Sequence, residues 1–330
     1  SSPRRSANHK RLPARDTRLR LVPDAASIRR VALLSLALLV VRIASALYVS
    51  QPGYTDSFYF TGVAERLAAG HGLTADFIWS PLEAKRTNWS LPVASHLFWV
   101  PLPTVVAAAG VAVLGPLLGT FRAAQLPLIV VAALLPLATY LAARRLGAAE
   151  RASFAASAIA GLGGLFAPGF VSVDAFALAA LLGTAFFLAY GHAASGSVRA
   201  GVAAGILVGL LYLARSEGAL FGLALLWLLR VPRARRAAGA GAVVALAIGL
   251  VWVMREMSQL AGTSVLARSA LLTRYEDFFA IQPDYLGGSL ADLIVPKLTA
   301  LGTNALTFLF SFAQVKSLAS QELKETDKLN

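Results

Sequence analysis

The sequence predicts an all-α protein, a polytopic bundle of transmembrane helices with a long first loop outside the membrane. Of its 330 residues, 57% are hydrophobic and only 14% are charged, whereas soluble domains average about one half and about one quarter. Several apolar runs reach the roughly 20 residues that a helix needs to cross the hydrocarbon core. Arginine clusters beside these runs are typical of cytoplasmic loops.

The first 30 residues form a basic arm, which we predict to be cytoplasmic. They contain nine of the 30 Lys and Arg residues, and the net charge of the chain is +13. Such an arm is either a solvated tail or a contact for anionic lipid headgroups. Because the basic residues flank apolar runs, they disfavour nucleic acid as a partner. The absence of Cys excludes disulfides, thiolate metal sites and cysteine nucleophiles.

The first hydrophobic segment, at about 31–49, begins directly after this arm. Residues 31–43, followed by the small residues 44–46, resemble a secretory signal peptide with its cleavage site. Because further apolar runs follow, we expect an uncleaved signal-anchor helix instead. The later runs predict additional spans at about 124–142, 152–170, 174–191, 200–214, 217–230, 238–254 and 298–313.

One further apolar run, at 101–119, decides the topology. If it crossed the membrane, the basic arm and the basic loop 143–151 would face opposite sides, although both favour the cytoplasm. We therefore predict that it lies at the outer surface as a re-entrant or juxtamembrane helix. The first outer loop then comprises residues 50–123.

This topology divides the chain into an arm at 1–30, a transmembrane domain at 31–313 and a polar tail at 314–330. It places Asp174 and the turn that contains Arg215 and Glu217 on the same outer side as the first loop. We expect a multi-pass protein of the cell (inner) membrane, with a cytoplasmic N-terminus and an extracytoplasmic active site. Gly- and Ala-rich stretches at 200–210 and 237–249 predict close helix packing.

The stretch 53–60, just after the first span, is the strongest indication of function. It places the carboxylate of Asp56 among aromatic residues, and the basic pair Lys85 and Arg86 follows in the same loop. A carboxylate can accept a proton from a nucleophile, and cations can stabilise a phosphate leaving group. The loop therefore predicts a membrane-surface active site for a lipid-linked anionic substrate.

Several segments of the chain resemble the C-type (GT-C) glycosyltransferases, the polyprenyl-phosphate-sugar-dependent enzymes related to protein O-mannosyltransferases and aminoarabinose transferases. The similar segments lie at 53–60, 64–74, 76–79, 91–103, 173–176 and 213–218. The resemblance runs from about 30 to 313. It implies a GT-C type fold and inverting transfer of a sugar from a polyprenyl-phosphate donor to an acceptor at the outer face.

The resemblance also implies roles for particular residues. Asp56 takes the position of the first-loop acid, a base or a metal-associated acid, and Asp174 takes that of a second acid. A divalent cation, Mg or Mn, is a possible cofactor held by these two residues. The candidate substrate- and phosphate-binding residues are Lys85, Arg86, Arg215, Glu217, His96 and Tyr59.

Structural roles remain open for the same residues. Asp56 and Asp174 could each cap a helix, and Arg215 could form a local ion pair with Glu217 in a turn. The side chain of His96 suits a structural hydrogen bond. Trp79, Trp89 and Trp99 suit an interfacial aromatic belt, and Lys85 and Arg86 a solvated loop pair.

Two other functional classes compete with a glycosyltransferase. One is a non-catalytic membrane subunit that binds a lipid or a protein partner. The other is a transporter, which would favour acids at the bilayer midplane and related halves. The candidate acids instead share one predicted side, and no internal repeat is visible.

Overall fold

The computed structural model describes residues 24–79, 90–97, 99–260 and 298. Within them the chain forms α-helices and one short antiparallel pair of strands, in which Thr74 pairs with Ala94 and Ala75 with Val93. The strands are β1 (Thr74–Ala75) and β2 (Val93–Ala94). The helices are α1 (Ala25–Tyr48), α2 (Thr55–Ala68), α3 (Leu102–Leu118), α4 (Thr120–Arg145), α5 (Glu150–Leu162), α6 (Phe176–Ala194), α7 (Val198–Ala214), α8 (Phe221–Leu228) and α9 (Arg235–Leu260).

Four segments of this part of the chain are long and apolar enough to cross a membrane. They are α1, α4, α6 and Pro232–Gln259, which contains most of α9. Helices α3 and α7 and the segment Ser216–Leu228 are apolar but shorter. The described chain is thus an all-α bundle with membrane-spanning character, as the sequence predicts. The predicted span 298–313 and tail 314–330 lie outside the described residues, apart from Leu298.

The predicted span at 152–170 is wrong as a single helix. Helix α5 ends at Leu162, because Gly163 adopts a left-handed conformation with φ of 78°, which glycine tolerates without steric cost. Two 3₁₀ turns follow, at Gly164–Phe166 and Pro168–Phe170. The stretch stays apolar along its length, but its helix ends at Leu162.

One end of the bundle gathers the basic clusters, and we name it the basic end. The Ser27 hydroxyl donates to Glu150 over 2.6 Å, so the starts of α1 and α5 lie together. Arg145 approaches His192 at 2.8 Å, and Arg233 donates to the carbonyl of Ala194 over 3.2 Å. The clusters at 29–30, 144–151 and 230–236 therefore share one end, as the positive-inside argument requires.

The opposite end, which we name the loop end, carries the first outer loop. Arg122 at the start of α4 donates to the carbonyl of Leu47 at the end of α1 over 3.3 Å. Arg255, near the end of α9, donates to the carbonyls of Leu73 and Ser95 over 3.2 and 3.0 Å. These bonds bring α1, α4, α9 and both strands to the same end.

Helices α2 and α3 pack within the loop end. Their shared core includes Tyr59 and Phe60 of α2, Ala107 of α3 and Leu128 of α4. Trp79 and Trp99 pack against this core. The middle of α3 lies against the first turns of α4, since a side chain at Gly110 would overlap the carbonyl of Ala123. That α3 lies at the outer surface without crossing the membrane stays a prediction.

Small residues bring α7 and α9 into close contact. A Cβ atom at Gly201 would overlap the carbonyl of Ala237, and one at Gly205 would overlap that of Gly241. The predicted close packing of these two Gly- and Ala-rich stretches is therefore confirmed. Helix α7 ends at Ala214, so this contact also positions Arg215, the next residue, relative to α9.

Candidate functional site

Asp56 lies in the first turn of α2, which begins at Thr55 after α1 has ended at Tyr48. The N-cap of α2 is Tyr54, so Asp56 is not the capping residue. Its side chain is half-buried, and the burial, with the charge of Asp174, raises its pKa to about 6. The Thr55 hydroxyl, at 3.5 Å from Asp56, and the Arg215 guanidinium act in the opposite direction. The result is a carboxylate more basic than an ordinary aspartate.

Asp174 lies just before α6 and is only 4% exposed. The Tyr54 hydroxyl donates to its Oδ2, and the backbone N–H of Ala175 donates to its Oδ1. Burial raises the pKa of Asp174, and these two bonds and Arg215 partly offset that rise. The N-cap of α6 is Ala175, without a side-chain hydrogen bond, so Asp174 is not its capping residue. Asp174 interacts electrostatically with Asp56.

Tyr54 donates a hydrogen bond to Asp174 and lies two residues before Asp56 in the chain. It is partly buried beside Asp174, and its burial and the two nearby carboxylates raise the pKa of its phenol well above the usual range. The phenol therefore stays protonated and remains a hydrogen-bond donor at neutral pH. The sequence places Tyr54 near Asp56, but nothing in it links Tyr54 to a residue 120 positions away.

Arg215 supplies the cation of the site. Its Nη2 lies 3.1 Å from Oε1 of Glu217, and its guanidinium carbon lies 4.9 Å from the ring centre of Phe176. Both ion-pair side chains are about one third exposed. The predicted local ion pair is present, and Arg215 also lowers the pKa of Asp56 and of Asp174. The structure thus brings Asp56, Asp174 and Arg215 together.

His96 and Tyr59 lie in the core and not at this site. The backbone N–H of His96 donates to the Tyr59 hydroxyl, and its ring approaches the hydroxyls of Ser95 and Thr104 at 3.0 and 2.9 Å. Complete burial, with the nearby Arg255 charge, lowers the pKa of His96 to about 3. This favours the structural role of His96 over contact with a phosphate.

The remaining predicted phosphate-binding residues, Lys85 and Arg86, lie outside the described residues, as does Trp89. Their roles stay predictions. Trp79 and Trp99, which the sequence assigns to an interfacial belt, are partly buried against the loop-end core.

Asp56 and Asp174 are the two carboxylates that this site offers to a divalent cation. Among the described residues, no group of three or more His, Cys, Asp or Glu side chains is arranged to hold a metal. Mg²⁺ often binds through one or two carboxylates and completes its shell with water and substrate phosphate. Asp56 and Asp174 fit that limited role, although Arg215 already supplies a positive charge beside them.

Comparison with known protein families, curated proteins and solved structures gave no match for this chain. The interpretation of the site therefore depends on its geometry and on the resemblance of the sequence segments.

Proposed function

We propose that the chain is an inverting membrane glycosyltransferase of GT-C type that uses a polyprenyl-phosphate-linked sugar. The observation that carries the proposal is the half-buried, basic carboxylate of Asp56, which interacts with Asp174 and Arg215 at the end of the first apolar helix. An acid, a coupled second acid and a cation at one end of a membrane bundle suit group transfer from a lipid phosphate.

Asp56 is the general base in this proposal. It accepts the proton of an acceptor O–H or N–H group as the acceptor attacks the anomeric carbon. The bond from that carbon to the donor phosphate oxygen breaks, its electrons leave with the polyprenyl phosphate, and the configuration inverts. A pKa of about 6 suits this role, because Asp56 is then mostly ionised at pH 7 but a better base than an ordinary aspartate.

Arg215 stabilises the leaving group. The polyprenyl phosphate gains negative charge as it departs, and a guanidinium forms strong, charge-assisted hydrogen bonds to phosphate oxygens. Its partial exposure leaves it accessible to such a ligand. Lys85 and Arg86 are the other candidate cations. A Mg or Mn ion, if bound by Asp56 and Asp174, would neutralise the same charge.

Asp174 and Tyr54 hold the site. Both oxygens of Asp174 accept hydrogen bonds from the protein, so its carboxylate is fixed where α6 begins. Its negative charge raises the pKa of Asp56 and thereby increases the strength of the base. We place this site on the extracytoplasmic side of the cell membrane, because the opposite end carries the basic clusters.

Replacing Asp56 tests the proposal. Asp56→Asn keeps the shape of the side chain and removes the base, so transfer from a polyprenyl-phosphate sugar should fall about 100-fold or more. The measurement is the transfer rate of the purified protein in detergent with radiolabelled donor. Asp76→Asn is the matched control, since Asp76 is an exposed carboxylate at the loop end that pairs with Arg66.

Equal rates for the parental protein and the Asp56→Asn variant would make the catalytic assignment wrong. If neither protein transfers sugar but both bind polyprenyl phosphate, the non-catalytic lipid-binding subunit becomes the better reading.

A further inference from the structure

Helix α8 carries an outward apolar stripe that runs toward the basic end, and the site described above does not use it. We name Leu220, Leu223 and Trp227 the α8 stripe; their side chains are 52%, 62% and 61% exposed in the described part of the chain. Their spacing of three and four residues places them on one face of the helix. The other face packs inward, since Leu225 is fully buried.

An exposed arginine continues this stripe just beyond α8. The guanidinium carbon of Arg230 lies 4.1 Å from the ring centre of Trp227. The backbone N–H of Arg230 also donates to the carbonyl of Trp227 over 3.1 Å, so the chain keeps its coil through this turn. A cation–π contact of this kind holds a guanidinium without neutralising its charge. Arg230 is therefore placed at the end of the stripe and keeps its charge for a ligand.

Arg235 brings a second guanidinium to the same turn. Its Nε donates to the carbonyl of Leu229, the residue before Arg230, over 3.0 Å. The side chains of Arg230 and Arg235 are exposed. None of the ion pairs formed among the described residues includes either of them. Two guanidiniums on one turn, without a carboxylate partner in that part of the chain, favour an anionic ligand.

The chemistry of this surface favours a phospholipid over a soluble anion. A free phosphate or an acidic peptide would use the arginines but not the α8 stripe. A phospholipid covers the apolar stripe with its acyl chains and brings its phosphate to the arginines at the end of the stripe. Trp227 suits this place, because tryptophan favours the level of the headgroups. Two arginines also favour an anionic headgroup over a zwitterionic one, which carries a cation of its own.

We propose that the α8 stripe, Arg230 and Arg235 bind one anionic phospholipid of the leaflet at the basic end. The two guanidiniums donate to phosphate oxygens, and the ring of Trp227 contacts the upper part of an acyl chain. This site lies at the end of the bundle opposite to Asp56. The proposal is therefore independent of the proposed transfer reaction, and its test needs no transfer assay.

The fluorescence of Trp227 can report the lipid that lies beside it, because brominated acyl chains quench tryptophan on contact. The purified protein in dodecyl maltoside is titrated with brominated phosphatidylglycerol or with brominated phosphatidylcholine. The same titrations of Trp227→Phe are subtracted to leave the signal of Trp227. We expect phosphatidylglycerol to reach half-maximal quenching at an about fivefold lower mole fraction, the scale of one arginine near an anionic lipid.

Paired variants separate a local site from the total charge of the basic end. Arg230→Gln combined with Arg235→Gln should reduce the preference for phosphatidylglycerol to less than about twofold. The matched control is Arg151→Gln combined with Arg199→Gln, which removes two exposed arginines of the same end that do not stack on Trp227. It should keep the parental preference. If the first pair does not fold, Arg230→Gln alone, which leaves the backbone bond of Arg235 in place, should lower the preference at least about twofold.

Four results would overturn the assignment. The first is that neither lipid quenches Trp227, or that both quench it equally in the parental protein. The second is an unchanged preference when Arg230 and Arg235 are replaced. The third is an equal loss of preference in the control pair. The fourth is displacement of brominated phosphatidylglycerol by glycerol phosphate or by poly-glutamate at comparable concentration, which would assign the arginines to a soluble ligand.

Discussion

The two ends of the bundle differ in how far their charged groups are exposed to water. At the basic end, Arg30 and Glu150 are largely exposed at 3.6 Å, so water screens their interaction. At the loop end, Asp174 is buried and Asp56 half-buried, and both have raised pKa values. Solvated charges at one end suit orientation in the membrane, whereas desolvated carboxylates at the other suit chemistry. This difference supports the proposal that the loop end carries the active site.

The largest effect after loss of Asp56 should come from the cation at the loop end. Arg215→Gln removes the guanidinium from the proposed phosphate site, so kcat/KM for the lipid donor should fall about tenfold or more. Steady-state kinetics with a polyprenyl-phosphate sugar measure this. Arg199→Gln, an exposed arginine near the start of α7, is the matched control at the basic end and should change kcat/KM less than about twofold. Equal losses of kcat/KM in both variants would mean that Arg215 contributes no more to catalysis than an arginine at the basic end.

A smaller effect is expected on stability, because Asp56→Asn should raise the free energy of unfolding while it lowers activity. The pKa of Asp56 is about 6 in the folded protein against 3.8 ordinarily, so the folded state disfavours the ionised carboxylate. Stability should therefore fall as pH rises from about 4 to about 6, and this cost persists at pH 7. Asp56→Asn removes the cost, although it also loses a favourable charge in the first turn of α2.

The net gain in the free energy of unfolding for Asp56→Asn at pH 7 should be on the order of 1 kcal/mol, after allowance for partial exposure. Thermal unfolding in detergent at pH 7 and pH 4 measures it. The gain should vanish at pH 4, and Asp76→Asn, the exposed control, should show no such gain. A less stable Asp56→Asn variant at pH 7 would mean that Asp56 has a structural role.

The helices and the distribution of charge between the two ends could largely be predicted from the sequence, because both follow from composition and from the positions of the arginines. The apolar runs predict the helices, and the arginine clusters correctly predict that the segments at 29–30, 144–151 and 230–236 share an end. The same alternation of spans predicts that Asp56, Asp174 and Arg215 lie on one side of the membrane. Each of these predictions depends on a local pattern and on the alternation of spans.

The sequence could not predict contacts that depend on tertiary structure. The bond from Tyr54 to Asp174 joins residues 120 positions apart. The ring of His96 contacts the hydroxyl of Thr104, and the charge of Arg255, from a distant helix, helps to lower its pKa. The break after Leu162 depends on a left-handed glycine within a continuous apolar run, where hydropathy gives no signal.

In the proposed mechanism Asp56 is a base whose pKa is raised by burial and by Asp174. The most direct test is the pH dependence of kcat/KM for sugar transfer in the parental protein and in Asp174→Asn. The parental profile should lose activity as pH falls through about 6, because Asp56 becomes protonated. In Asp174→Asn this limb should move to lower pH, since a neighbouring negative charge is removed while Tyr54 and Arg215 remain. A parental limb near pH 4, or a limb that Asp174→Asn leaves in place, would contradict the account.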